Sequence, residues 1–321
     1  MHQVTPPDEA LRALRHRRSA EGRRIIRQLR EAGFVAYLAG GCVRDALLGR
    51  VPKDFDVATN AKPDAVREVF GKRKTLAFGA SFGVVAVLPD RLDAQAENAE
   101  PTEVATFRSD GSYSDGRRPD SVHFGNAKAD ALRRDFTING LFFDPDSESV
   151  IDYVGGINDL QASLIRTIGD PEQRFGEDKL RMLRAVRFAT TLGFTISSDT
   201  QSAVRRLANE VDCVSGERIG AEMRRVLASP SADQGIAKLE ETGLRHKVWP
   251  ELSGVSQEQA AAVLSARPQL SAISGLAATL VAGDDPLIQL RGTAKRWKLS
   301  GEESRRVESA LKHWRTITTA T

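Results

Sequence analysis

The chain has 321 residues, 40% hydrophobic and 28% charged, which excludes a disordered polymer and predicts two or three lobes. Its 46 basic and 43 acidic residues leave a net charge of +3, a weak bias toward acidic partners. Two cysteines, Cys42 and Cys213, exclude a disulfide framework and a cysteine-based zinc site, and the five histidines are scattered singly.

In residues 8–32, Leu11, Leu14, Ile25, Ile26 and Leu29 recur among arginines, predicting one or two amphipathic helices closed by Gly33. Residues 34–38 form a short β-prone run, Gly40-Gly41 a break, and residues 43–48 a helical stretch ended by Gly49. Residues 54–58 read as a strand and 63–70 as a helix with Pro63 in its first turn. Residues 82–88 read as another strand, with 102–108 as its antiparallel neighbour. Between them, residues 90–101 are acidic and alanine-rich, which predicts an exposed loop. Residues 109–119 mix Gly, Ser, Asp, Arg and Pro and are expected to form a mobile loop. Strand signals return at 136–143 and 150–153, and beyond Leu160 helical periodicity dominates.

The expected class is therefore α+β, a mixed sheet with helices followed by an all-helical remainder. The expected parts are an N-terminal helical segment (1–32), a head (33–159), a helical neck (160–252) and a helical body or shortened tail (253–321). The start, Met-His-Gln-Val-Thr-Pro-Pro, carries no signal-peptide pattern, and no apolar run reaches bilayer length. A cytoplasmic protein is expected.

Three clusters carry chemistry. In Gly40-Gly41-Cys42-Val43-Arg44-Asp45, the glycines let backbone approach a ligand closely and present N–H groups where phosphate is welcome. Alone, such a pair is usually just a turn. In Asp54-Phe55-Asp56, side chains two apart on a strand share a face, so the carboxylates point together while Phe55 enters the core. Adjacent carboxylates repel unless a cation bridges them, and Mg²⁺ with substrate phosphates is the natural occupant. Glu103, opening Glu103-Val104-Ala105-Thr106, is the candidate third carboxylate, or equally an edge-strand charge.

The second cluster, Arg133-Arg134-Asp135-Phe136-Thr137-Ile138-Asn139-Gly140, could grip phosphate or ribose through charge-assisted hydrogen bonds; a solvated charge cluster is the plainer alternative. The third is residues 177–188. At helical spacing, Asp178, Arg181, Arg184 and Arg187 share one half of a helix, while Met182, Leu183, Val186 and Ala189 take the other. Cytosine and adenine each present an amino donor beside a ring-nitrogen acceptor. An Asp accepting from the amino group and an Arg donating to the ring nitrogen would select C and A over G and U. Arg184 and Arg187 could reach a triphosphate. A salt-bridged exposed helix is the competing reading.

These segments, in this order, resemble the bacterial-type (class II) CCA-adding tRNA nucleotidyltransferase and poly(A) polymerase family, within the DNA polymerase beta-like nucleotidyltransferase superfamily. The resemblance spans residues 25–252 and includes Thr106-Phe107-Arg108, Tyr113-Ser114-Asp115-Gly116-Arg117-Arg118-Pro119 and Glu217-Arg218-Ile219. It implies that Gly41, Arg44, Arg134, Asp178, Arg181, Arg184 and Arg187 bind the incoming CTP or ATP. It implies that Asp54 and Asp56 hold Mg²⁺; Glu103 stays a catalytic candidate on its place in the sequence alone. The implied reaction is attack of an RNA 3′-hydroxyl on the α-phosphate, with pyrophosphate leaving. The implied partner is the 3′ end of tRNA, and the loop at 109–119 would help switch from C to A addition.

CCA addition leads. CC-only, A-only and poly(A) synthesis share the chemistry, and a non-catalytic RNA-binding protein or transfer to a small molecule are readings from other classes. Residues 78–85 resemble CCA-adding members more than poly(A) polymerases. The sequence departs from the family at Gly140, where Ala is usual, and a packing effect is expected there. Many relatives carry a longer C-terminal tail, and no His-Asp dipeptide of an appended hydrolase is present. The oligomeric state is left open.

Overall fold

The computed structural model describes residues 2–89, 100–265 and 271–319. Most of the loop expected at 90–101 lies outside them. Contacts divide the chain into two compact units: residues 1–162 with 166–169, and residues 163–165 with 170–321. Among the described residues, no helix is long and apolar enough to cross a membrane.

The first unit runs β1 (His2–Val4), α1 (Asp8–Leu14), α2 (Ala20–Glu31), β2 (Ala36–Ala39), α3 (Gly41–Leu47), β3 (Val57–Thr59) and α4 (Pro63–Phe70). It continues with β4 (Thr75–Gly79), β5 (Val84–Val87), β6 (Thr102–Thr106), β7 (Arg108–Asp110), β8 (Val122–Phe124) and α5 (Ala127–Leu132). It ends with β9 (Leu141–Asp144), β10 (Ser149–Asp152) and α6 (Gly156–Gln161). Eight strands form one mixed sheet in the order β1-β10-β9-β2-β3-β6-β5-β4, and β7 pairs with β8 separately. Strands β5 and β6 are antiparallel, as expected, whereas β3 and β6 run parallel with Val57 opposite Val104.

Periodicity explains how this sheet is covered. Ile25, Ile26 and Leu29 of α2 are all buried. That helix comes so close that a Cβ on Gly22 would sit 3.1 Å from Leu38 and 3.3 Å from the Phe55 carbonyl. A second cluster gathers Phe107, Phe142, Ala127 and Ala131, with Phe107 and Phe142 edge-to-face at 5.9 Å.

Several expected boundaries move. The strand expected at 136–143 begins only at Leu141. Residues 137–139 form a 3₁₀ turn instead, because the Thr137 and Ile168 amides bond the Arg166 and Asp135 carbonyls. Asp54 and Asp56 precede β3 rather than lying within it. The polar β1 escaped notice because it is short and finds its pairing only against β10. The loop expected at 109–119 starts inside β7 and is tied internally: Asp120 accepts from Ser112 and Ser114, and Asp115 from the amides of Arg117 and Arg118.

The second unit contains α7 (Pro171–Glu177), α8 (Leu180–Leu192), α9 (Ser198–Leu207), α10 (Gly216–Leu227), α11 (Ala232–Glu241) and α12 (Arg245–Val248). Then come α13 (Gln257–Ser265), α14 (Ala272–Val281), α15 (Pro286–Trp297) and α16 (Gly301–Thr319). Two-residue segments at 164–165 and 195–196 pair in parallel. The α+β class holds. The second unit's core centres on Trp249 and Trp297, 4.7 Å apart, whose indole N–H groups donate to Thr293 Oγ1 and the Val248 carbonyl. Gly216 lies so close to α15 that a Cβ would fall 2.0 Å from the Arg296 carbonyl.

Candidate functional site

Although Asp54 and Asp56 stand outside the strand, their extended backbone keeps the expected alternation: both are exposed while Phe55 between them is only 6% exposed. The β3–β6 register, Val57 opposite Val104, brings Glu103 level with Asp56. The Asp56 carboxyl is open to solvent on one side and crowded by protein on the other. That burial pushes its pKa up to about 6, helped by the charges of Glu103 and Asp54 and opposed by Arg134. Among the described residues, no ion pair neutralises Asp54, Asp56 or Glu103.

Among the described residues, no three His, Cys, Asp or Glu side chains form a ready-made metal cage. Glu103 therefore adds charge without closing a three-carboxylate cluster. Uncompensated, mutually repelling carboxylates at a strand end nevertheless fit a divalent cation that keeps waters and shares phosphate oxygens. Cys42 is not a competitor for it. Its thiol is buried, donates to the Ala39 carbonyl at 3.4 Å and is pushed up to about 12 by burial and by Asp56.

Asn139 organises the neighbouring arginines. Its Oδ1 accepts from Arg44 Nη1 at 2.6 Å, its carbonyl from Arg134 Nη1 at 3.1 Å, and its Nδ2 donates to Asp135 at 2.9 Å. Arg134 lies over the Phe142 ring, 5.1 Å from its centroid. Gly40, at φ +71°, precedes α3 in a conformation that favours glycine, and a Cβ there would fall 2.7 Å from Arg134 Nη1 and displace that guanidinium. Gly41 is the first residue of α3, and Arg44 on that helix also pairs with Asp45 at 2.7 Å. The first unit thus brings Gly41, Arg44 and Arg134 together around Asn139, and Arg134 within electrostatic reach of Asp56.

In the second unit the expected helix is interrupted. Helix α7 ends at Glu177, Asp178 is extended (φ −150°, ψ 107°), and α8 begins at Leu180. Asp178 therefore does not share a helix face with Arg181, Arg184 and Arg187. Its Oδ1 accepts from the Leu180 amide at 3.1 Å and its Oδ2 from Arg218 Nη2 at 2.7 Å. The local reason is that an extended Asp beside a helix start satisfies an orphan amide, which competes with continuing the helix.

Arg181 Nη1 pairs with Glu177 at 2.5 Å and bonds the Arg174 carbonyl. Arg187 pairs with the buried Glu222 at 2.5 Å and lies 3.6 Å from the Phe188 ring centroid, while Arg184 lies over the same ring at 5.3 Å. Met182, Leu183, Val186 and Ala189 are fully buried, as expected; Leu180 is buried with them.

Sequence reasoning did not single out Asn139, Asp130, Arg218 or Glu222. Asn139 and Arg218 stood inside quoted motifs, but nothing in their spacing reveals partners that are far away in sequence. Glu222, on α10, belongs to no motif that would mark it.

Comparison with known proteins assigns residues 36–166 to the "Poly A polymerase head domain" family and residues 193–255 to the "Probable RNA and SrmB- binding site of polymerase A" family. A CCA-adding enzyme of Geobacillus thermodenitrificans is 44% identical over 221 residues, 68% of this chain and 52% of the relative. One from Latilactobacillus sakei is 36% identical over 301 residues, 92% of this chain and 68% of the relative. Among solved structures, the Bacillus stearothermophilus CCA-adding enzyme in complex with CTP matches with a TM-score of 0.75 at 32% identity, covering 94% of this chain and 71% of that one. The chain spans only 52% to 59% of the length of the first curated relatives it matches. With these motifs, this sheet and these relatives, the chain belongs to the bacterial-type family of CCA-adding enzymes and poly(A) polymerases.

Proposed function

We propose that this protein is an RNA nucleotidyltransferase that adds C and A nucleotides to the 3′ end of tRNA from CTP and ATP, releasing pyrophosphate. The observation that carries the reading is the uncompensated pair Asp54 and Asp56 at the entry to β3, facing Glu103 across the register and within reach of Arg134. It is supported by the relatives, which are named CCA-adding enzymes.

Asp54 and Asp56 hold the divalent metal that this family implies, which we take to be Mg²⁺. When bound, the metal supplies charge neutralisation at the transferring phosphate and lowers the pKa of the attacking hydroxyl. The chain's own groups do the rest. Arg44 and Arg134, fixed through Asn139, offer positive charge to the incoming nucleotide's phosphates, and Gly40-Gly41 allows close approach of backbone. Asp178 and Arg181 read the base. Each Asp178 oxygen carries one hydrogen bond and can accept another, and the Nε and Nη2 of Arg181 lie outside its bonds to Glu177 and Arg174. Arg184 and Arg187, stacked on Phe188, add charge for the triphosphate. Glu103 raises the local negative potential.

We further propose the part boundaries 1–32, 33–159, 160–252 and 253–321, and a cytoplasmic location in keeping with a tRNA substrate. The test is extension of tRNA ending at the discriminator base, followed nucleotide by nucleotide with CTP and ATP. Addition of C, C and A in order is expected. Growth by A alone beyond one residue on arbitrary RNA would indicate a poly(A) polymerase, stopping after two C residues a CC-only enzyme, and binding without growth a non-catalytic RNA-binding protein.

A further inference from the structure

Helix α5 carries a carboxylate that no exposed face explains. The Asp130 side chain is 0% exposed, yet two guanidinium groups close on it. Its Oδ2 accepts from Arg134 Nε at 3.1 Å and Nη2 at 2.9 Å, while its Oδ1 accepts from Arg133 Nε at 2.8 Å. Burial works against its charge, but Arg134 and then Arg133 outweigh burial and hold the carboxyl below its ordinary range. The arginines differ from the acid between them. They remain 19% and 18% exposed, so each keeps an accessible part while the carboxylate keeps none. A buried ion cluster is a poor way to gain stability compared with apolar packing. It is a good way to fix where a charged donor points.

We propose that Asp130 is a positioning residue for Arg134, and that through Arg133 and Asp110 it links Arg134 to the root of the β7–β8 hairpin. The second arm is also buried. Arg133 Nη1 lies 3.9 Å from Asp110 Oδ2, and the Asp110 side chain is only 6% exposed. Asp110 accepts from the Tyr113 hydroxyl at 2.7 Å and pairs with Arg108 at 2.8 Å, a contact too bent to count as a hydrogen bond. Arg108 in turn donates to the Phe82 carbonyl. Charges of alternating sign therefore run without a gap from Arg108 to Arg134. A change in the hairpin's root that shifts Asp110 alters what Arg133 takes from Asp130, and with it the seat of Arg134. The inference rests on the reading of Arg134 as a nucleotide-binding residue.

The test compares the full chain with Asp130→Asn, Asp130→Glu and Asp110→Asn, with folding checked by circular dichroism and thermal melting. CTP and ATP affinity are measured directly by equilibrium dialysis, and KM for nucleotide and for RNA by extension assay. Asp130→Asn is expected to weaken CTP binding and raise nucleotide KM about tenfold, the loss of roughly one charge-assisted contact, with KM for RNA unchanged. Asp130→Glu recovers part of that loss, and Asp110→Asn gives about a threefold effect in the same direction.

A folded Asp130→Asn protein with nucleotide affinity within twofold of wild type overturns the positioning role, as does an equal rise in both KM values. Should Asp130→Asn not fold, Asp110→Asn decides with Arg134→Lys in a double-mutant cycle, and effects that simply multiply overturn the link. Wild-type protein that binds CTP but extends no RNA defeats the proposed function. In that case a tenfold loss of CTP affinity in Asp130→Asn still supports the inference.

Discussion

The carboxylates at the entry to β3 in the first unit and the charged residues around α8 in the second are treated in opposite ways. In the first, Asp54, Asp56 and Glu103 stand exposed and, among the described residues, without an ion pair, and their mutual repulsion helps raise Asp56 to about 6. In the second, the charged groups of the motif are held by protein: Asp178 by Arg218, Arg181 by Glu177, and Arg187 by Glu222. Like charges left together are costly to the folded chain and are relieved only by something that arrives from outside, such as a cation. Charges already paired cost little to keep in place and serve geometry. The aspartate pair is left for a cation to neutralise, whereas the groups around α8 are held in place by the protein itself.

The largest effect that can break this contrast is on activity. Replacing Asp54 and Asp56 together by Ala should lower nucleotide transfer on the order of 10³-fold or more while leaving RNA binding in place. Transfer that survives the double substitution in an extension assay rules out the metal role of the pair.

Next comes stability in the second unit. Glu222 is buried and pairs with Arg187 at 2.5 Å and with Arg225 at 3.3 Å. Glu222→Ala should cost about 3 kcal/mol of unfolding free energy by stranding a buried guanidinium. Denaturant titration checks it, and a cost no larger than that of a surface substitution would show the pair to be ornamental.

A smaller cost is expected at the departure from the family. Gly140 has no room for a side chain: a Cβ would meet Val154 Cγ2 at 2.7 Å and Ile168 Cδ1 at 3.3 Å. Gly140→Ala should therefore lose about 1 kcal/mol, lower Tm by a few degrees and leave transfer largely intact. An unchanged or raised Tm means that the neighbours give way freely.

The remaining effect carries a sign opposite to that of Glu222. The folded chain raises Asp56 from the ordinary 3.8 to about 6, so it holds that proton more tightly than the unfolded chain does. Stability therefore falls as pH rises through this window, and above it the full penalty is present. In chelated, metal-free buffer Asp56→Asn should melt higher than wild type at about pH 7.5, with the gap closing below about pH 4. A lower melting temperature for Asp56→Asn at the higher pH would falsify the assignment of uncompensated charge.

Much of the candidate site is legible along the chain. Alternation around Phe55 put both aspartates on one side, and that survived even though the strand expected from residue 54 begins only at Val57. The apolar half of α8 was read correctly from spacing, because helical period and burial are local properties. The break at Asp178 was not, since Glu and Lys favour a helix and a single Asp disfavours one too weakly to end it. The extended conformation is held instead by Arg218, forty residues away in the chain. Likewise, the strand expected at 136–143 yielded to a turn because the Thr137 amide found the Arg166 carbonyl and the Ile168 amide found the carbonyl of Asp135.

The sequence by itself determined the class of fold, the family, and which residue types face solvent or core along each element. Those depend on periods of two and 3.6 residues and on motif order, all of which are written along the chain. Only the tertiary structure decided who pairs with whom: Glu103 level with Asp56, Asn139 between Arg44 and Arg134, Asp130 beneath two arginines. Such partners are set by strand register and helix packing, and these follow from free energy summed over many distant contacts rather than from any one segment.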